Sequence, residues 1–347
     1  MRFINNRFLP LYTLCFMVIH TSVTADDSHG NHTAMITPHI EIFDDKALTL
    51  LESDSEISVI SEGHTWTEGP LWVEEGGYLL FSDIPNNVIQ KYDSKSGTSV
   101  YLKPAGATSL VAGDYAQGSN SLLLNRKGEL VLFQQGDRRI ATMQAALNKP
   151  KADFKTLVGS YKNQRLNSPN DGVYHSNGDL YFTDPPYGLK NIMADERKQL
   201  AFQGVFLLKA EGSLVLLDDE VSFPNGIALT KDEQTLLVAV SNPKSAQWLA
   251  YDINTDGTLA SKRVFFDATS LVGQKGEQGL PDGMAVHSSG VIFATGPGGV
   301  WLFDNTGKVL AKIRTGQISS NCTLTTDEKT LYITADDYVM SVPLKGM

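Results

Sequence analysis

Short apolar runs alternate with turns rich in Gly, Asn, Asp and Ser along most of the chain. The third unit of this pattern reads Asn170-Asp171-Gly172-Val173-Tyr174, a turn at Ser176-Asn177-Gly178-Asp179, then Leu180-Tyr181-Phe182-Thr183-Asp184. The fifth repeats it from Asp282-Gly283-Met284 through Ser288-Ser289-Gly290 to Val291-Ile292-Phe293, and the sixth from Asn321-Cys322-Thr323-Leu324 to Leu331-Tyr332-Ile333. Turn-forming residues between β-branched and aromatic runs signal hairpins. Third strands follow at Val88–Asp93, Val205–Leu208, Trp248–Asp252 and Val300–Asp304, and fourth strands at Val215–Leu217 and Val309–Ala311.

The pattern is periodic. Leu80, Val131, Tyr181, Leu237, Ile292 and Tyr332 mark strands spaced 51, 50, 56, 55 and 40 residues apart. A carboxylate or carboxamide stands 10 to 12 residues ahead of each: Glu68, Asn120, Asn170, Asn225, Asp282 and Asn321. Repeats of this length, each unable to bury its faces alone, predict an all-β, six-bladed β-propeller of four-stranded blades. A pair of β-sandwiches would explain the strands but not the phase of the polar residue. The last unit is short of an outer strand, and Ile57-Ser58-Val59-Ile60 is placed to supply it, so that an N-terminal strand closes the ring. Helix is expected only at Ala47–Leu51, Ala141–Leu147 and Asn191–Gln199.

Ahead of the repeats, residues 1–25 combine a basic start, an apolar stretch of about a dozen residues and small residues before a cut after Ala25, as in a secretory signal. The stretch is too short for a membrane span, which needs about 20 residues. Residues 26–55 form a lead-in, and 56–347 the propeller domain. The expected setting is secreted or periplasmic. Removing Arg2 and Arg7 takes the formal charge from −10 to −12 and leaves Cys322 as the sole cysteine, so no internal disulfide is available. An acidic chain without a basic stripe argues against nucleic acid. Asn31 and Asn321 head glycosylation sequons, the second in conflict with a channel-facing Asn321.

Three of the six polar positions share one frame: Ser168-Pro169-Asn170-Asp171-Gly172, Phe223-Pro224-Asn225-Gly226 and Leu280-Pro281-Asp282-Gly283. Thr67-Glu68-Gly69-Pro70 is a relative. Proline presets the entering backbone and glycine allows close approach at the axis. Any one of these could be an ordinary turn residue; four in one frame point to a shared site. Glu68, Asn170, Asn225 and Asp282 offer oxygen ligands only, which select Ca²⁺ first, with Mg²⁺, Mn²⁺ or Zn²⁺ as alternatives. A cation would also relieve the repulsion of two converging carboxylates.

These stretches, with Arg165-Leu166-Asn167 and Leu180-Tyr181-Phe182-Thr183-Asp184-Pro185-Pro186-Tyr187-Gly188, resemble the gluconolactonase or senescence-marker/regucalcin-like lactonases over about Glu62 to Pro343. The resemblance implies one catalytic divalent cation and hydrolysis of sugar lactones or similar esters. It places the metal glutamate on Glu68, the metal asparagine on Asn225, the metal aspartate on Asp282 and a channel asparagine on Asn170. The animal branch carries an arginine where this chain has Ser168, and Arg165 is out of register, so substrate recognition does not carry over. The Pro-Pro-Tyr-Gly run is closer to bacterial gluconolactonases.

Asp282 is the expected general base and Glu68 the second choice. Asn170 would position substrate, with Asn120, Asp184, Tyr187 and Asn321 lining the site. His64, His175 and His287 read as structural or surface residues. No Gly-x-Ser-x-Gly elbow appears, and Gly296-Pro297-Gly298-Gly299 opens no helix, so neither serine hydrolysis nor a phosphate loop is supported. Rival readings are hydrolysis of aryl esters or phosphotriesters on the same site, and a non-catalytic calcium-binding propeller. The expected partner is a small lactone, and the protein a monomer or small homo-oligomer.

Overall fold

The computed structural model describes residues 37–108 and 117–346. The signal segment, the cut after Ala25 and the sequon at Asn31 lie outside the described residues. Six antiparallel sheets form the blades, each running outward from an inner strand. Blade one comprises Thr67–Val73, Tyr78–Asp83, Val88–Asp93 and Gly97–Leu102, and blade two Ser119–Leu124, Leu130–Gln134, Arg139–Met143 and Phe154–Val158. Blade three is Gly172–Tyr174, Leu180–Asp184, Gly204–Leu208 and Leu214–Asp218; blade four is Pro224–Leu229, Thr235–Asn242, Ser245–Ile253 and Leu259–Asp267. Blade five holds Met284–Val286, Ile292–Gly296, Gly299–Phe303 and Val309–Arg314, and blade six Ser319–Leu324, Thr330–Ala335 and Tyr338–Pro343.

The ring closes as the short last unit requires. Ser58–Ser61 becomes the outer strand of blade six, with Ser58 opposite Ser341, Val59 opposite Met340 and Ser61 opposite Val339. A second N-terminal strand, His39–Ile42, adds a fifth strand to blade five against Val309–Arg314. Between them lies a 3₁₀ turn, Asp45–Thr49, begun by the Asp44 carboxylate accepting from the Lys46 amide at 2.9 Å. Ala47, Leu50 and Leu51 are fully buried there in one cluster with Phe293, Leu331, Ile333 and Val342. The lead-in thus plugs the seam between the last two blades.

Two helix expectations are corrected. Ala141 to Met143 belong to the third strand of blade two, where Ala141 pairs with Leu132 on one side and Thr156 on the other. Pairing on both edges overrides the local helical preference. In Asn191–Gln199 only a 3₁₀ turn forms, Ile192–Ala194, with Ile192 at φ 48°. Among the described residues, no helix is long and apolar enough to cross a membrane.

Apolar residues fill the spaces between blades. Leu80, Leu132 and Met143 meet between blades one and two, and Leu207, Val238 and Tyr251 between blades three and four. Toward the axis, polar bonds replace apolar packing. Hydroxyls ending one blade's second strand hold carbonyls of the next blade's inner strand: Ser82 to Asn120 at 2.8 Å, Thr183 to Asn225 at 2.7 Å, and Thr295 to Ser320 at 2.9 Å. Ser320 donates in turn to Thr67 at 2.7 Å, joining blade six to blade one.

Candidate active site

The frame glycines show why the inner strands can crowd. A Cβ on Gly69 would stand 2.1 Å from the Asn120 carbonyl oxygen, one on Gly226 2.1 Å from the Asp282 carbonyl oxygen, and one on Gly283 2.0 Å from the Asn321 side chain. Each glycine therefore lies against the polar residue of the following blade. This stacking brings Glu68, Asn120, Asn170, Asn225 and Asp282 to one level of the channel, at the end where the inner strands begin. Asn321 is out of this phase. Ser320 takes the equivalent place, its carbonyl accepting from Thr295 as those of Asn120 and Asn225 accept from Ser82 and Thr183, and Asn321 lines the opposite side of the channel with Asp171.

Three of the side chains at this level form a directional chain that ends on Ser241. Asn120 Nδ2 donates to Asn170 Oδ1 at 2.5 Å, Asn170 Nδ2 donates to Asn225 Oδ1, and Asn225 Nδ2 donates to Ser241 Oγ at 2.9 Å. Gln135 Nε2 also donates to Asn170 Oδ1, at 2.8 Å. The Asn225 side chain bonds to the Asp282 carboxyl as well. Glu68 accepts from the Gly69 amide at 2.9 Å and is bonded by the Asn321 side chain. Asn321 spends its Oδ1 on the Cys322 amide at 2.8 Å and is only 7% exposed, which leaves no room for a glycan.

Electrostatics ties the two carboxylates together. Burial raises the Glu68 carboxyl from 4.5 to about 8, the Gly69 amide opposing this and the charge of Asp171 adding to it. Burial, then the charges of Glu68 and Asp171, holds Asp282 well above its ordinary value. Asp171 itself is pushed up to about 6 by burial, against bonds from Ser121 and from the Gly172 and Ile227 amides. Among the described residues, no three His, Cys, Asp or Glu side chains gather as a metal-binding group. A cation here would have to draw on amide oxygens.

The remaining predicted positions divide. Tyr187 stacks on Phe223 with ring centroids 5.9 Å apart and lies beside Ser241 and Asp282; burial, then the Asp282 charge, drives its phenol up. Asp184 does not line the mouth. It is fully buried and accepts from the Asn167 and Ser168 amides at 2.7 and 2.8 Å, fixing the loop that leads to Asn170. The histidines lie away from this level. His175 and His287 sit at the hairpin turns, 3.5 and 3.2 Å from Glu233 and Glu328. His64 bonds Ser61 at 2.7 Å.

Sequence reasoning missed Gln135, Ser241, Phe223 and the direction of Asp171. Ser241 had a usable signal: Ser82, Thr183, Thr295 and Thr334 recur near the end of the second strand of their blades. Asp171 occupies the place that glycine takes after Glu68, Asn225 and Asp282. Its side chain therefore enters the channel from the opposite side, where a cavity of about 510 Å³ runs toward the hairpin turns between the inner strands.

Known proteins agree with this architecture. A gluconolactonase from Zymomonas mobilis is 34% identical over 93% of this chain and 90% of its own. The solved gluconolactonase from Xanthomonas campestris superposes with a TM-score of 0.76 at 29% identity, covering 88% of this chain and 95% of that one. Regucalcin of Agrobacterium tumefaciens, a solved calcium-binding protein, shares the fold at a TM-score of 0.65 and 15% identity, over 84% and 96% of the chains. Residues 66–337 match the SMP-30/Gluconolactonase/LRE-like region. The chain therefore belongs to the SMP-30/gluconolactonase/LRE-like family of lactonases.

Proposed function

We propose that this protein hydrolyses a sugar lactone with the help of one divalent cation, Ca²⁺ foremost, at the start of the inner strands. The observation that carries the reading is the burial of Glu68 and Asp282 within electrostatic reach of each other, with no basic group among the causes acting on either. Two such carboxylates share protons unless a cation compensates them. The donor set fits: it is all oxygen, Asn120 Oδ1 is buried without a partner, and the Asn225 side-chain carbonyl, accepting from Asn170 alone, keeps a second lone pair. Asn170 Oδ1 would exchange one of its two amide donors for the ion. Glu68, Asn170, Asn225 and Asp282 would hold the ion. When bound, it would polarise the lactone carbonyl and stabilise the developing oxyanion, worth several kcal/mol.

The protein's own groups do the rest. Asp282 accepts a proton from the water that attacks the carbonyl carbon, with Glu68 as second choice. The ring C–O bond breaks, and the proton passes to the departing ring oxygen, so that water is added overall. Asn170, fixed by Asn120 and Gln135, orients the substrate, and Tyr187 offers a hydroxyl beside Asp282 on a support of Phe223. The two gluconolactonase relatives make glucono-lactones the first substrates to try. The leader composition supports delivery to a secreted or periplasmic setting, which the mass of the exported N-terminus would check.

The test is a pH-stat assay of chelated protein on glucono-, galactono- and simple γ-lactones, aryl esters and phosphotriesters, with Ca²⁺, Mg²⁺, Mn²⁺ or Zn²⁺ restored singly. Lactone turnover that needs a restored cation is expected. Asp282→Asn should lower it by about 10²-fold or more, the scale of a lost general base, while leaving the fold intact. Full turnover by that variant would refute the base assignment, and full turnover after exhaustive chelation would refute the metal.

A further inference from the structure

A second cavity, of about 620 Å³, lies between blades two and three on the face where the inner strands begin. Its charge reverses that of the chain. The walls carry Arg138, Arg139, Arg165 and Arg197 against a single acid, Asp137, in a protein of formal charge −10. The acid is already engaged: the Thr108 amide donates to it at 2.9 Å and Arg139 Nη2 at 3.0 Å. Arg138 is buried and directs its guanidinium at carbonyls, those of Leu166, Asn167 and Arg197 at 2.8, 2.9 and 2.7 Å. Carbonyls satisfy its hydrogen bonds without cancelling its charge. Burial, then the charge of Arg165, lowers the Arg138 guanidinium to about 10.

Arg165 and Arg197 are the exposed members. Arg197 is ion-paired with Asp195, through Nε at 2.9 Å and Nη2 at 3.1 Å, whereas among the described residues Arg165 has no acid partner. Arg165 Nη2 donates to the Asp137 carbonyl at 2.6 Å, and among the described residues its remaining guanidinium donors take no partner. Gln199 accepts from the Arg165 amide through Oε1 at 2.6 Å, so its own amide nitrogen adds a neutral donor. Planar guanidinium forks matched to tetrahedral oxyanions are the strongest recognition element that side chains offer such ligands. Nothing in the lactonase reading uses this cluster.

We propose that this notch binds a phosphate-class oxyanion, free or as the phosphoryl group of a small metabolite, with Arg165 as its principal ligand, Gln199 beside it, and the ion-paired Arg139 and Arg197 flanking it. The bound anion would tie together the turn 135–139, the hairpin 160–165 and the loop 185–203; the last two flank Asn170 in the chain, and the loop carries Tyr187.

Calorimetric titration of calcium-free protein with inorganic phosphate, at fixed ionic strength, tests this directly. Saturable one-to-one binding is expected, weakened at least tenfold in Arg165→Gln and in Arg197→Gln. Lactone turnover by Arg165→Gln measured without phosphate should match that of the parent. Glucose 6-phosphate separates the two sources: binding tenfold tighter than phosphate identifies a phosphorylated metabolite, and equal binding a free ion. No binding by the parent protein, or equal binding by parent and both variants, overturns the proposal.

Discussion

At the residue scale, the paired carboxylates make the cation-free protein sensitive to pH in a direction that can be worked out. Glu68 holds its proton to about pH 8 and Asp171 to about 6, whereas both release theirs near pH 4 when unfolded. The unfolded chain therefore binds fewer protons across that window. Stability is fullest below the unfolded values and is lost as pH rises through the folded ones. Chelated protein should show a melting temperature that falls from pH 5 to pH 8, and Ca²⁺ should restore most of the loss at pH 8. Glu68→Gln should flatten the profile. A chelated melting temperature that does not fall with pH would contradict the coupling. Much of this site was legible beforehand, because Pro and Gly flank the polar residue in a recurring frame. The downward turn of Asp171 was not, since nothing in the residue itself shows which end of a channel it enters.

At the element scale, the inner strands depend on glycine more than on side-chain packing. Gly226 has no room for a methyl group, because the obstacle is backbone: the Asp282 carbonyl oxygen, 2.1 Å from the Cβ position. Ala at this position must push blades four and five apart or shift Asp282. Overpacking of this kind costs about 1–3 kcal/mol, and lactone turnover should fall with it as Asp282 moves. Urea denaturation of Gly226→Ala alongside its activity measures both, and an unchanged midpoint would deny the close approach. The strands themselves were readable because turn residues and apolar runs recur at fixed spacing. The expected helix at Ala141–Leu147 was not a helix because its first two residues gain pairing partners on both sides and Met143 on one, which only the assembled blade supplies. Asp184 was misplaced for a similar reason. A strand-end aspartate near a channel suggests substrate contact, but here two loop amides claim its oxygens first.

At the scale of the whole molecule, the ring is held at its seam by two separate N-terminal pieces whose contributions can be divided. The closing strand Ser58–Ser61 covers the edge of Tyr338–Pro343, while Ala47, Leu50 and Leu51 fill the core between blades five and six. A chain beginning at Glu56 keeps the first and loses the second. Each fully buried leucine contributes about 1.5–3 kcal/mol, so this form should unfold at a clearly lower urea concentration yet stay monomeric. A chain beginning at Glu62 loses both. Blades six and one would still be joined by the Thr67 amide to the Asp336 carbonyl at 2.8 Å and by the Ser320 hydroxyl to Thr67 at 2.7 Å. The bare edge of Tyr338–Pro343 would nevertheless be open to pairing with another copy. Light scattering after gel filtration should find the Glu62 form dimeric or aggregated at concentrations where the Glu56 form is not. If both forms stay monomeric with equal urea midpoints, the outer strand does not hold the ring shut, and closure must reside in the polar contacts near the axis.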